Sequence, residues 1–104
     1  MDLIPISGIR LRRAVLGALL EALMEGRGPL TVGEVVDAIR AQGCTTWAGL
    51  AKPMHMVIAD MLAYQVRAGR VRRTGRATYQ VIRSAISNTT QWRCRHWRDG
   101  LTSD

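Results

Sequence analysis

The stretch Met61-Leu62-Ala63-Tyr64-Gln65-Val66-Arg67-Ala68-Gly69-Arg70-Val71 runs on through Arg72-Arg73-Thr74-Gly75-Arg76-Ala77-Thr78-Tyr79-Gln80-Val81, and its apolar period changes midway. Before Gly69 the apolar residues recur at three- and four-residue steps, the spacing of one helix face. After it, Val71 opens a short strand, Thr74-Gly75-Arg76 carries turn chemistry, and Tyr79 and Val81 alternate with Thr78 and Gln80. The reading is a helix closed at Ala68-Gly69, then a β-hairpin with its apolar side on the helices and its arginines at the tip.

Upstream, Met54, Val57, Ile58, Met61, Leu62 and Val66 share a face of that helix, and Pro53 suits its first position, where a missing N–H costs nothing. A second helix precedes it. Thr31 and Glu34 have capping-box spacing, Val32, Val35, Val36 and Ile39 form its apolar face, and Gly43 ends it. Leu30, just before the cap, is placed for a short strand. Between the two helices Cys44–Ala51 reads as a turn, or a turn and a fragment of helix, with Thr45 or Thr46 as its cap. The first helix carries Leu11, Val15, Ala18, Leu19, Ala22 and Leu23 at helical steps, widened by Leu16 and Leu20. Ser7 is its N-cap and Gly26-Arg27-Gly28-Pro29 its stop. So broad a stripe is expected to face more than one neighbour.

The chain of 104 residues fits one domain, and 47% apolar content excludes a disordered one. Phe is absent, so the core must come from Leu, Val, Ile, Ala and Met. Net charge is +7, unevenly spread. Residues 1–60 balance Arg10, Arg12, Arg13, Arg27, Arg40 and Lys52 against Asp2, Glu21, Glu25, Glu34, Asp37 and Asp60. Residues 61–98 hold Arg67, Arg70, Arg72, Arg73, Arg76, Arg83, Arg93, Arg95 and Arg98 with no acid. Coding bias toward arginine accounts for Lys52 being the only lysine, but it would not clear acids from one half. A footprint for phosphates accounts for it better.

Several classes fall away. Cys44 and Cys94 lie far apart without a CxxC, as reduced cytosolic thiols do. Arg10–Met24 has a signal-peptide look, but Glu21 and Glu25 follow at once, and the apolar run is too short for a bilayer. A cytoplasmic protein associated with the nucleoid, without membrane contact, is expected. Cys44, His55, Cys94 and His96 lack the paired spacings of a zinc site. The scattered acids offer no nucleophile–base pair, and no Gly-rich phosphate loop is present, so neither an enzyme nor a cofactor is expected.

The order helix, short strand, helix, turn, helix, hairpin resembles the winged helix-turn-helix family over residues 11–82. The segment Met61–Val71 is similar to that family's third-helix ending, and Thr74–Val81 to its wing tip and returning strand. Linker-histone globular domains and many bacterial repressors share the pattern. The resemblance implies a mainly α fold, a three-helix core plus wing over residues 1–86, with a Trp- and Arg-rich C-terminal extension over 87–104. It also implies binding of double-stranded DNA, as a transcriptional regulator or chromatin-like factor, with the third helix in the major groove. Mapped onto this chain, the groove-facing residues are Thr45, Thr46, Trp47, Lys52 and His55. The wing contributes Arg70, Arg72, Arg73 and Arg76, of which the last three flank the Gly turn and suit a backbone or a narrow minor groove. Two departures stand out. The turn between helices two and three is long, and Lys52 and His55 are sparse for a base-reading helix start. Both count against base-specific recognition more than against DNA binding. Trp47 and Leu50 are equally placed to pack the long turn onto the core, and a charged hairpin can serve only to discourage edge pairing.

In the extension, Thr89 or Thr90 would cap a helix containing Trp92-Arg93-Cys94-Arg95-His96-Trp97-Arg98, with Arg93 one turn from Trp97 for a cation–π contact. As a strand, Trp92, Cys94 and His96 would share a face. Leftover apolar surface on helix one must be covered, by the Trp92 and Trp97 segment either within its own chain or in a mate. The mate is favoured, so Leu16 and Leu20, with Trp92 and Trp97, are the expected contacts to a homodimer mate or another partner. The alternative to DNA binding is an adaptor that holds a protein through helix one or this tail.

Overall fold

α1 (Gly8–Met24) is the axis of the molecule. In the computed structural model, which describes residues 2–46 and 52–99, Leu11, Ala14, Val15, Leu16, Gly17, Leu19, Leu20 and Ala22 of this helix are all buried. A helix apolar around so much of its girth must be enclosed, and α1 touches two further helices, α2 (Val32–Ala41) and α3 (Met54–Arg67), as well as a strand and a fourth helix. Ser7 caps α1 by its extended backbone, without a side-chain bond.

α2 starts as the sequence indicates. Thr31 Oγ1 accepts from the Glu34 N–H at 3.1 Å, and Glu34 Oε1 accepts from the Thr31 N–H at 2.9 Å. Val35, Val36 and Ile39 are its buried face. Pro53 sits at the N-cap of α3, one position earlier than expected. The inner face of α3 holds Met54, Ile58 and Leu62, and also Gln65, which is wholly enclosed.

The strands form two small sheets. One pairs β1 (Ile4–Ile6) with β3 (Cys44–Thr46) in parallel, Ile4 opposite Cys44 and Ile6 opposite Thr46. Neither strand is evident from the sequence, because three residues are too few to show a period. The other sheet is antiparallel: β2 (Leu30–Thr31) pairs with β5 (Thr78–Val81), which pairs with β4 (Val71–Gly75). Leu30 does supply a strand, and it lies opposite Tyr79. The Val32 N–H donates to the Ala77 carbonyl at 3.0 Å, so the cap of α2 is tied to the hairpin.

The hairpin turns later than its composition indicates. Gly75 is still paired, with Thr78, the register shifts between Arg73 and Gly75, and the turn falls on Arg76-Ala77. Ala77 has φ +50°, a left-handed conformation that costs a residue with a Cβ about 1–2 kcal/mol.

After β5 a 3₁₀ turn (Arg83–Ala85) leads to α4 (Asn88–Arg95). The cap of α4 is Ser87, not Thr89 or Thr90: its Oγ accepts from the Thr90 N–H at 3.2 Å. Gln91 holds the turn to the helix, donating to the carbonyls of Ile86 at 2.8 Å and Arg83 at 3.2 Å. α4 packs on α1, with Cys94 wholly buried and Trp97 against the core. This corrects the expected partner surface. Leu16 and Leu20, assigned to a mate, are 1% and 0% exposed within the chain itself, on a helix packed against α2, α3, β5 and the C-terminal helix at once. The described residues thus form a mixed α/β domain of four helices and a small antiparallel sheet, with α4 of the extension packed on α1.

Candidate nucleic-acid interface

The arginines of the acid-free half divide into two groups. Four are bound into the fold. Arg70 Nη1 donates to Gln65 Oε1 at 3.0 Å, and Arg83 Nε to Gln91 Oε1 at 3.1 Å. Arg95 Nε pairs with Glu21 Oε1 at 2.8 Å, and Arg98 Nη1 donates to Gln42 Oε1 at 3.3 Å. Arg67, Arg72, Arg73, Arg76 and Arg93 are exposed, and none has an acidic partner among the described residues. Arg73 is steadied by its own hairpin, donating from Nε to the Gly75 carbonyl at 3.1 Å.

The hairpin therefore presents Arg72, Arg73 and Arg76 to solvent. Its base is fixed on two sides, since Tyr79 and Val81 are buried, β5 is paired with β2, and the Ile82 N–H donates to the Arg70 carbonyl at 2.8 Å. Three guanidiniums on a narrow, anchored tip can donate to phosphates along a backbone at little ordering cost.

Arg70 is not part of that tip. Gln65 is enclosed, its amide group donates to Met61 Sδ at 3.6 Å, and its carbonyl oxygen relies on Arg70. A buried polar group needs a partner, so this arginine is structural.

The expected third-helix contacts scatter. Thr46 is buried at 4% exposure, and Thr45 is half-buried with its hydroxyl 3.6 Å from Met54 Sδ. Trp47 lies outside the described residues. His55 is exposed on the first turn of α3, as is Met56. Lys52 is exposed but forms an ion pair with Asp60. With both side chains about half exposed, the pair adds little stability, yet it cancels the positive charge at the start of α3. Downstream on the outer face stand Tyr64 and Arg67. Arg67 has no counterpart among the contacts expected from the sequence, although its place in the last turn, on the side away from Ile58 and Leu62, marks it.

Two further findings concern acid–base chemistry. The bonds with Thr31 hold the Glu34 carboxyl below its usual range. Burial pushes the thiols of Cys44 and Cys94 up, against the pull of nearby arginines. Both are free and enclosed, and neither has the thiolate character of a reactive cysteine. Among the described residues no three His, Cys, Asp or Glu side chains gather as a metal site, and no helix is long and apolar enough to cross a membrane.

No protein-family model, curated protein or solved structure matches the chain.

Proposed function

We propose that the protein is a winged-helix domain that binds duplex DNA, with the β4–β5 hairpin as the wing and α3 as the groove-facing helix. The element order supports this reading, and so does the pairing of β2 with β5, which joins the hairpin to the start of α2. The observation that carries it is the exposed trio Arg72, Arg73 and Arg76 on the hairpin, with no acidic partner among the described residues. Phosphate contacts dominate the affinity and base readout is slight, because Lys52, just ahead of α3, is paired with Asp60, and the exposed residues of α3 are His55, Met56, Asp60, Tyr64 and Arg67. The cellular role that fits is occupation of DNA, as a regulator or a chromatin-like factor of the nucleoid.

Adaptor function through the apolar stripe of α1 is disfavoured, because Leu16 and Leu20 are buried within the chain itself. The deciding experiment is a mobility shift of random-sequence duplex at two salt concentrations. Binding that weakens steeply with salt is expected, and undetectable binding by micromolar protein at about 50 mM salt would overturn the proposal.

A further inference from the structure

Arg10 and Arg13 lie one turn apart on α1 and line a groove of 470 Å3 whose other wall is formed by Trp92, Arg93, His96 and Trp97. The hairpin takes no part in it. None of the three guanidiniums has a hydrogen-bonded side-chain partner among the described residues, and Asp99 is the carboxylate on the wall, so the groove is positive on balance.

Trp92 is the unusual element. It is 60% exposed, yet it is held in place. The imidazole of His96 stacks on it with centroids 4.3 Å apart and planes 18° apart, and His96 Nδ1 lies 2.8 Å from the Trp92 carbonyl oxygen. With His96 on one face of the indole, its exposure falls on the other face and the edges. Trp97, in the same wall, is half-buried and packed against the core. A large aromatic ring already ordered by a ring beneath it loses little entropy when a third ring is added.

We propose that this groove binds single-stranded nucleic acid, a base stacking on Trp92 opposite His96 while flanking phosphates engage Arg10, Arg13 and Arg93. Charge alone would accept any polyanion. The supported, exposed indole adds a platform for a planar ring, and ring stacking together with a cationic groove is how unpaired strands are held. Duplex is a poor fit for this surface, because its bases present their edges and not their faces. The proposal is independent of the duplex reading and shares no residue with the hairpin.

The test uses the full chain and two labelled oligomers of equal charge, dT12 and an abasic phosphodiester 12-mer, with binding read by anisotropy and tryptophan emission. We expect dT12 to bind at least about tenfold tighter than the abasic oligomer and to quench emission. Trp92→Ala should bring dT12 to the abasic level without altering duplex binding, and Trp92→Phe should recover part of the difference. Arg10→Ala with Arg13→Ala should weaken both oligomers. A melting curve of each variant checks folding, and Arg93→Glu, on an exposed position, provides a second route to the same loss. Equal binding of dT12 and the abasic oligomer would overturn the proposal, as would undiminished dT12 binding by Trp92→Ala. Loss of dT12 binding in the Arg72, Arg73 and Arg76 alanine variant, with Trp92→Ala unaffected, would assign the strand to the hairpin instead.

Discussion

Gly17 of α1 lies directly beneath the backbone carbonyl of Cys94 in α4. A methyl group at Gly17 would overlap that oxygen, standing 3.1 Å from the carbonyl carbon and 3.4 Å from Trp97 Cδ1. This approach lets α4 sit directly on that face of α1 within the chain. Gly17→Ala should therefore destabilise the protein even though alanine favours helix by about 1 kcal/mol. Overpacking against backbone costs about 1–3 kcal/mol, and thermal melting should show a drop of several degrees. An unchanged or raised Tm would mean that α4 does not dock there.

The two classes of arginine should separate in one pair of measurements. Arg70→Ala leaves the enclosed Gln65 carbonyl unsatisfied, a loss of about 1–3 kcal/mol, with only the small change in DNA affinity due to one charge. Arg73→Ala with Arg76→Ala should do the reverse, weakening DNA binding for all sequences while stability stays within about 0.5 kcal/mol. Equal destabilisation by both variants would erase the distinction.

The sequence carried the helices, the capping box and the hairpin because each has a local signature: a period, a Thr-x-x-Glu spacing, a change of period after Gly69. It did not carry β1 and β3, whose parallel pairing joins segments some forty residues apart. Nor did it decide whether the Trp-bearing segment covers α1 within the chain or from a mate, since a broad stripe on α1 fits either cover. Arg70 and Arg72 look alike in sequence, and only the burial of Gln65 tells them apart. The hairpin turn shifted because Gly75 is used in a paired position, leaving the left-handed position to Ala77.

Asp60 restrains the start of α3 by pairing with Lys52. Asp60→Asn removes a carboxylate from the outer face and frees the ammonium for a phosphate. Duplex affinity should rise severalfold, with a salt dependence steeper by about one unit. Unchanged affinity would show that this end of α3 lies outside the interface.

Glu34 links stability to acidity. Its folded pKa is lowered by the bonds with Thr31, so its contribution is present above the unfolded carboxyl pKa and is lost as pH falls through the folded value. In denaturant titrations Glu34→Ala should be less stable than the native chain at neutral pH, and the gap should close in acid. Thr31→Ala should cost about 1 kcal/mol at neutral pH through loss of the cap. A gap that does not depend on pH would contradict the assignment.

Whether the hairpin arginines hold duplex DNA by its phosphates is read from the salt dependence of binding in the native chain and in a variant with Arg72, Arg73 and Arg76 all replaced by alanine. Fluorescence anisotropy with a labelled random duplex gives log affinity against log salt. The native slope should be about −4 to −5, made shallower by about 2–3 units in the variant, because each phosphate contact contributes about −0.9. Identical slopes for the two proteins, or no binding by the native chain at low salt, would contradict those contacts.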